Sequence, residues 1–257
     1  MKIVFSDLDG TLLDHHTYSW EAARPAIERL RRLAIPWIMV TSKTRAETEY
    51  WRRLVGNEHP FVVENGAAAF IPAGYFPGPA PQALEWAIPY ADIVTGLDAA
   101  AHEVGCRIFG FHQMSVEEVA AACDLPLEQA VLAKKREYDE PFRVLDAGRE
   151  EALVAALEKR GLRTSQGGRF WHASGPSDKA RAVLALQALY EASGRPVTTI
   201  GLGDAMNDLP FLKVVDIPVV VRSAQSMRLA AELPRAMLSE RPGPEGWNEA
   251  VLELTGD

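Results

Sequence analysis

Two aspartates one residue apart, Asp7 and Asp9, close the apolar run Ile3-Val4-Phe5, and Gly10 and Thr11 follow them. An apolar run ended by turn residues reads as a strand buried on both faces. Its carboxyl end then delivers two carboxylates to the edge of a parallel sheet, where open α/β sheets bind ligands. Two acids so close repel unless a cation sits between them. Turn formers after a strand would look the same without any chemistry, so the weight falls on three further segments. Thr41-Ser42-Lys43 ends the apolar stretch 36–40, Asn65-Gly66 follows shortly after Phe61-Val62-Val63, and Gly203-Asp204 follows the stretch 198–202. Each puts polar groups at the end of a candidate strand. A carboxylate can attack phosphorus and carry the phosphoryl group as an aspartyl-phosphate. Magnesium takes one or two carboxylates together with phosphate oxygens. A hydroxyl and a lysine can hold the remaining phosphoryl oxygens.

The elements that must position these groups alternate. Strands at 2–6, 36–40 and 61–63 are separated by helical spacing over 20–33 and 46–55, which predicts a parallel sheet with helices on both faces. Residues 72–81 carry Pro72, Gly74, Pro77, Gly78, Pro79 and Pro81, a hairpin or linker. The rhythm then changes. Helices are expected near 83–88 and 95–104, and a strand near 106–112. A capping box, Ser115 with Glu118, opens a further helix. Beyond it come a helix at 127–135, an extended segment at 136–145, an amphipathic helix at 150–160 stopped by Gly161, and a strand at 162–166. From 177 the parallel rhythm returns, with helices at 179–192 and 209–214 and strands at 198–202 and 217–221. The expected class is α/β, a Rossmann-like parallel-sheet core with an inserted α+β cap. The core takes 1–81 and 173–257, and the cap takes 82–172.

The 257 residues are 47% apolar, ample for such a core, and the net charge of −8 argues against nucleic acid or an anionic membrane surface as partner. An anionic small molecule stays compatible, because local basic residues and a bound cation override the overall field. Cys106 and Cys123 lack metal spacing and fit free thiols of a reducing compartment. The first residues run straight into a strand rather than a charged-then-apolar leader, and no apolar run approaches a membrane span. The expectation is a cytoplasmic protein.

DLDGTLL, TSK, SDK and GDAMNDLPFL, in that order, resemble the four motifs of the haloacid dehalogenase-like phosphatases. Singly, Lys179 reads as a solvated charge at a helix start, and Asp204 or Thr41 as a helix cap. Together, the resemblance implies that Asp7 is the nucleophile and Asp9 the general acid and base, with Mg²⁺ held by Asp7, the Asp9 carbonyl and Asp204. Asp208, beside Asn207, joins the metal group at one remove. Thr41 supplies the phosphoryl-holding hydroxyl, Ser42 an amide or second hydroxyl, and Lys179 the ammonium. Mn²⁺ or Co²⁺ can fill the same oxygen site.

The insertion at 82–172 resembles the large cap of one branch of that superfamily. TSKTRAE, REYDEPF and GGRFWH are similar to segments of the mannosyl-3-phosphoglycerate phosphatases, which release phosphate and leave mannosylglycerate, a compatible solute. The implied partner is a small phosphorylated glycoside. Lys43, Arg136, Arg143 and Arg169 can meet its negative charge, and an arginine suits a glycerate carboxylate bidentately. Gly167-Gly168 let backbone amides approach an anion closely. Asn65, Glu140 and the neighbouring Glu137 and Asp139 can bond hydroxyls, with a charged surface as the equal alternative for each. Trp171 and His172 read as packing. Glucosyl-3-phosphoglycerate, sucrose-phosphate and a sugar phosphomutase reaction use the same core chemistry. A receiver-like signalling module also combines Asp, Thr/Ser and Lys, but lacks a counterpart to Asp9 and to the cap.

Overall fold

The computed structural model describes residues 1–79, 81–167, 170–192, 194 and 196–256. The chain opens with β1 (Lys2–Ser6), α1 (Arg24–Arg32), β2 (Trp37–Val40), α2 (Arg45–Val55), β3 (Phe61–Val63), β4 (Ala68–Phe70) and β5 (Ala83–Glu85). There follow α3 (Tyr90–Glu103), β6 (Ile108–Gly110), α4 (Val116–Cys123), α5 (Leu127–Ala133), β7 (Asp139–Val144), α6 (Glu150–Glu158), β8 (Arg163–Gly167) and β9 (Phe170–Ser174). The chain closes with α7 (Lys179–Glu191), β10 (Thr198–Gly203), α8 (Leu209–Leu212), β11 (Ile217–Arg222), α9 (Ser226–Ala231), β12 (Met237–Pro242) and α10 (Gly243–Leu254). These elements form two compact units. The first holds Met1–Ser42, Gly56–Leu84 and Asp178–Asp257, and the second holds Lys43–Val55 and Glu85–Ser177.

The first unit is built on an eight-stranded sheet in the order β12-β11-β10-β1-β2-β3-β4-β5. Pairing is parallel from β12 to β3, and β3 pairs with β4 antiparallel, Phe61 facing Phe70. The residues explain the arrangement. Ile3, Val4, Phe5, Ile38, Met39, Val40, Val62 and Val63 are fully inaccessible, as strands covered by helices on both faces require. The chain runs outward from β1 through β2 to β3 on one side and from β10 through β11 to β12 on the other. The reversal of strand order therefore lies between β1 and β10, the place where such sheets bind ligands.

The second unit is a four-stranded antiparallel sheet, β6-β7-β9-β8. Helices α3 and α6 bury Ile93, Leu97, Leu153 and Leu157 against Phe142 and Ala173. A separate cluster joins Phe111 and Phe170 to Val119, Ala130 and Ala133 of α4 and α5. Ser115 and Glu118 form the expected capping box, at 3.2 and 2.8 Å. Helix α2 groups with this unit rather than with the core elements around it in sequence. The Thr44 hydroxyl donates to the Leu132 carbonyl at the end of α5, at 3.0 Å.

Three local readings change. Residues 83–85 are a strand, not part of a helix: β5 extends the sheet edge, an outcome that three residues of mixed polarity do not announce. Residues 170–174, given no element from the sequence although Trp171 and His172 read as packing, are strand β9, paired with both β7 and β8. The strand at 217–221 is not the last element: α9, β12 and α10 follow it, and like β4 they have no counterpart among the elements expected from the sequence.

One backbone position is set by steric necessity. Gly66 has φ +92°, and a Cβ there would lie 2.1 Å from the carbonyl oxygen of Asp178. Gly66→Ala is expected to cost at least about 2 kcal/mol, since both the positive φ and the clash penalise the methyl. Urea unfolding of the variant measures this; a loss below about 0.5 kcal/mol would show that the contact relaxes freely.

Candidate active site

β10, β1, β2 and β3 are neighbours, so their carboxyl ends bring Asp204, Asp7, Thr41 and Asn65 to one edge of the sheet. Asp7 follows β1 and is almost wholly buried. Lys179, on the first turn of α7, is 1% exposed, and its Nζ donates to Asp7 Oδ1 at 2.7 Å and Asp208 Oδ1 at 2.6 Å. The other oxygen of Asp208 accepts the amides of Asp204 (3.0 Å) and Ala205 (3.1 Å). Asp208 thereby spends both oxygens on holding the lysine and the turn after β10. Thr11 Oγ1 donates to Asp204 Oδ1 at 3.1 Å. Gly10, with φ +75°, makes room for that carboxylate, because a Cβ would lie 2.7 Å from Asp204 Oδ2.

Asp7, Asp204 and Asp208 offer carboxylate oxygens that all lie within 4.8 Å of one another. Three carboxylates face one ammonium, and the electrostatics record the imbalance. Burial pushes the Asp7 carboxyl well above its ordinary range, the Asp208 charge adds to this, and Lys179 opposes it. Burial and then Asp208 raise Asp204 to about 7, against the opposing hydrogen bond from Thr11. Burial works against the charge on Lys179, but Asp208 and Asp7 outweigh it and hold the ammonium protonated. A hard, oxygen-preferring divalent cation fits this donor set and relieves its excess negative charge.

Thr41 is fully buried. Its amide donates to the Val62 carbonyl at 3.1 Å, and its carbonyl accepts the Asn65 amide at 3.0 Å, which ties β2 to the turn after β3. Ser42 is partly exposed beside it, and Asp9 is partly buried two residues after Asp7. Asn65 has φ +57°, and its Oδ1 accepts Asn207 Nδ2 at 3.3 Å.

The other expected contacts belong to the second unit. Lys43 lies 3.6 Å from Glu47, both buried. Arg136 approaches Asp139 at 3.4 Å, and Arg143 stacks over Phe170, 4.8 Å from the ring centroid. Burial opposes ionisation of Asp139, but the His172 ring nitrogen at 2.8 Å and the Arg136 charge lower its pKa. Glu140 is wholly inaccessible. Its Oε1 meets the amide and Nδ1 of His112 at 3.0 and 2.7 Å, and its Oε2 accepts Tyr90 at 2.5 Å. Both oxygens are thus spent inside the unit, and no part of this side chain faces outward. Gly167 ends β8. Gly168 and Arg169 lie outside the described residues.

Several supporting residues had no sequence signal of their own. Ser223 Oγ donates to the Asp204 carbonyl at 2.7 Å, and the Met206 amide meets Gln225 Oε1 at 3.3 Å, so the turn after β11 grips the turn after β10. Trp247 on α10 reaches Ser6 Oγ at 2.8 Å. Only the assembled sheet brings such residues together.

Residues 4–74 match the haloacid dehalogenase-like hydrolase family. A glucosyl-3-phosphoglycerate/mannosyl-3-phosphoglycerate phosphatase from Methanococcoides burtonii is 40% identical, over 99% of this chain and 97% of that protein. Another of the same name from Persephonella marina is 38% identical, with the same coverage. A phosphatase of the same superfamily from Bacteroides thetaiotaomicron shares the fold, with a TM-score of 0.70 at 19% identity over 99% of this chain and 94% of that one. The chain belongs to the haloacid dehalogenase-like hydrolases. Within them it stands in one family with the two phosphatases from M. burtonii and P. marina.

The raised Asp204 has a consequence for stability. The folded state binds a proton there up to about pH 7, whereas the unfolded chain releases it near the ordinary 3.8. Stability from this group is therefore present below the unfolded value and lost as pH rises through 7. In chelator, the melting temperature is expected to fall between pH 5 and pH 8, and the Asp204→Asn variant should show a shallower slope. Equal slopes in the two proteins would refute the assignment.

Proposed function

We propose that this protein is a Mg²⁺-dependent phosphatase that hydrolyses mannosyl-3-phosphoglycerate, and its glucosyl counterpart, through an aspartyl-phosphate intermediate on Asp7. The observation that carries the reading is the cluster at the strand reversal, where Asp7, Asp204 and Asp208 surround the buried Lys179. The substrate class follows the names of the two relatives, which match nearly the whole chain. A phosphorylated metabolite as substrate suits a cytoplasmic enzyme. Among the described residues no helix is long and apolar enough to cross a membrane.

In this reading Asp7 attacks phosphorus in line, and the bond from phosphorus to the glycerate oxygen breaks. Asp9 delivers a proton to that departing oxygen, then takes one from the water that cleaves the acyl-phosphate, so phosphate leaves and Asp7 is restored. Lys179 and Thr41 hold the phosphoryl oxygens as charge spreads over them. Asp208 keeps the ammonium aimed while its other oxygen fixes the turn that presents Asp204. Asp7, the Asp9 carbonyl and Asp204 would hold Mg²⁺, which supplies charge neutralisation for the incoming phosphate.

Asp7→Asn should lower turnover by more than about a thousandfold. Its melting temperature should change little, because the amide oxygen can still accept from Lys179 and the lost ion pair is offset by weaker repulsion among the acids. Substantial residual turnover would refute the nucleophile assignment. Mg²⁺ should raise the melting temperature of the chelated protein, by an amount equivalent to about 2.7 kcal/mol at a hundredfold excess over Kd. In a phosphate-release panel the two glycosyl-3-phosphoglycerates should exceed sucrose-phosphate and p-nitrophenyl phosphate in kcat/KM. Equal rates across the panel would overturn the substrate assignment.

A further inference from the structure

We infer that Ser6 and Trp247 are positioning residues for Asp7, together replacing a hydrogen bond that the sheet gives up at the candidate site. The inference rests on Asp7 being the attacking residue. β1 and β10 run parallel with Ser6 opposite Leu202, and the Asp7 amide donates to the Leu202 carbonyl at 2.9 Å. The next rung of an evenly spaced parallel ladder would run from the Asp204 amide to the Asp7 carbonyl. That amide turns instead to Asp208 Oδ2, at 3.0 Å. The Asp7 carbonyl accepts from Ser6 Oγ at 2.7 Å. Ser6 Oγ in turn accepts from the indole Nε1 of Trp247 at 2.8 Å.

This chain of bonds fixes its own direction. The indole nitrogen only donates, so it fills an acceptor site of the serine oxygen and leaves the serine proton for the Asp7 carbonyl. Ser6 and Trp247 are both wholly inaccessible, so no water competes for these bonds. A hydroxyl in a buried site without a partner is costly, which holds the three groups together. Trp247 also meets Trp37 of β2 edge to face, with ring centroids 6.0 Å apart. A residue on the last helix thereby anchors the backbone of the seventh. Nucleophile geometry is sensitive to such anchoring, since a shift of about 1 Å can cost about a hundredfold in rate.

The test is steady-state kinetics of Ser6→Ala and Trp247→Phe beside Val251→Ala, a control truncation of a buried residue on the same helix. Ser6→Ala is expected to lower kcat by about tenfold or more with KM within about twofold. Trp247→Phe should lower kcat less, because Ser6 can still reach the carbonyl. Adding Trp247→Phe to Ser6→Ala should lower kcat no further, since the two act through one bond. Val251→Ala should lower the melting temperature and leave kcat within about twofold. The inference is overturned if Ser6→Ala keeps kcat within twofold, or if Val251→Ala loses kcat in the same proportion to its melting temperature. Full turnover in Asp7→Asn would instead remove the reading beneath it.

Discussion

The ammonium of Lys179, held between Asp7 and Asp208, is the interaction on which the rest of the first unit depends. All three groups are buried, and a buried charge is tolerated only when it is paired and hydrogen-bonded. The lysine satisfies two acids but leaves Asp204 beside them, so the cluster carries more negative charge than it neutralises. Packing elsewhere is arranged around that surplus. Gly10 clears space for the Asp204 carboxylate, and Gly66 lets the turn after β3 press against Asp178, the residue before the lysine. Asp178 itself caps α7 by accepting the Arg181 amide at 2.8 Å, which fixes the first helical turn and with it the origin of the Lys179 side chain.

Much of this was legible in the sequence because several core strands announce themselves twice, by an unbroken apolar run and by an abrupt polar end. Ile3-Val4-Phe5 before Asp7, and Trp37 to Val40 before Thr41, are of that kind, and the structure puts their ends on adjacent strands. What escaped was whatever depends on contacts distant in sequence. Residues 83–85 are three residues on a sheet edge, too short for a period to separate strand from helix. Helix α2 reads as an ordinary crossover helix after β2, yet its packing on α5, through Thr44 and Leu132, groups it with the second unit. Glu140 reads as an outward acid in a polar stretch. Only the pairing of β7 with β6 and the position of Tyr90 on α3 show that it is enclosed.

The supporting residues of the site share that difficulty for a physical reason. Ser6, Ser223 and Gln225 bond backbone groups, or side chains that serve backbone groups, and any small polar residue in a strand or turn has the same local appearance. Their meaning comes from what a parallel ladder leaves unsatisfied at its end. Buried backbone groups must find partners, and at the strand reversal side chains supply what the ladder does not. Had the ladder continued, the Asp204 amide would be drawn to the Asp7 carbonyl, and the two strand ends would be bonded beside the acidic cluster. The fold answers with side chains: Asp208 takes the amide and Ser6 takes the carbonyl, beside the point where the carboxylates converge. The catalytic reading of Asp7 and the irregularity of the sheet are therefore two consequences of one arrangement.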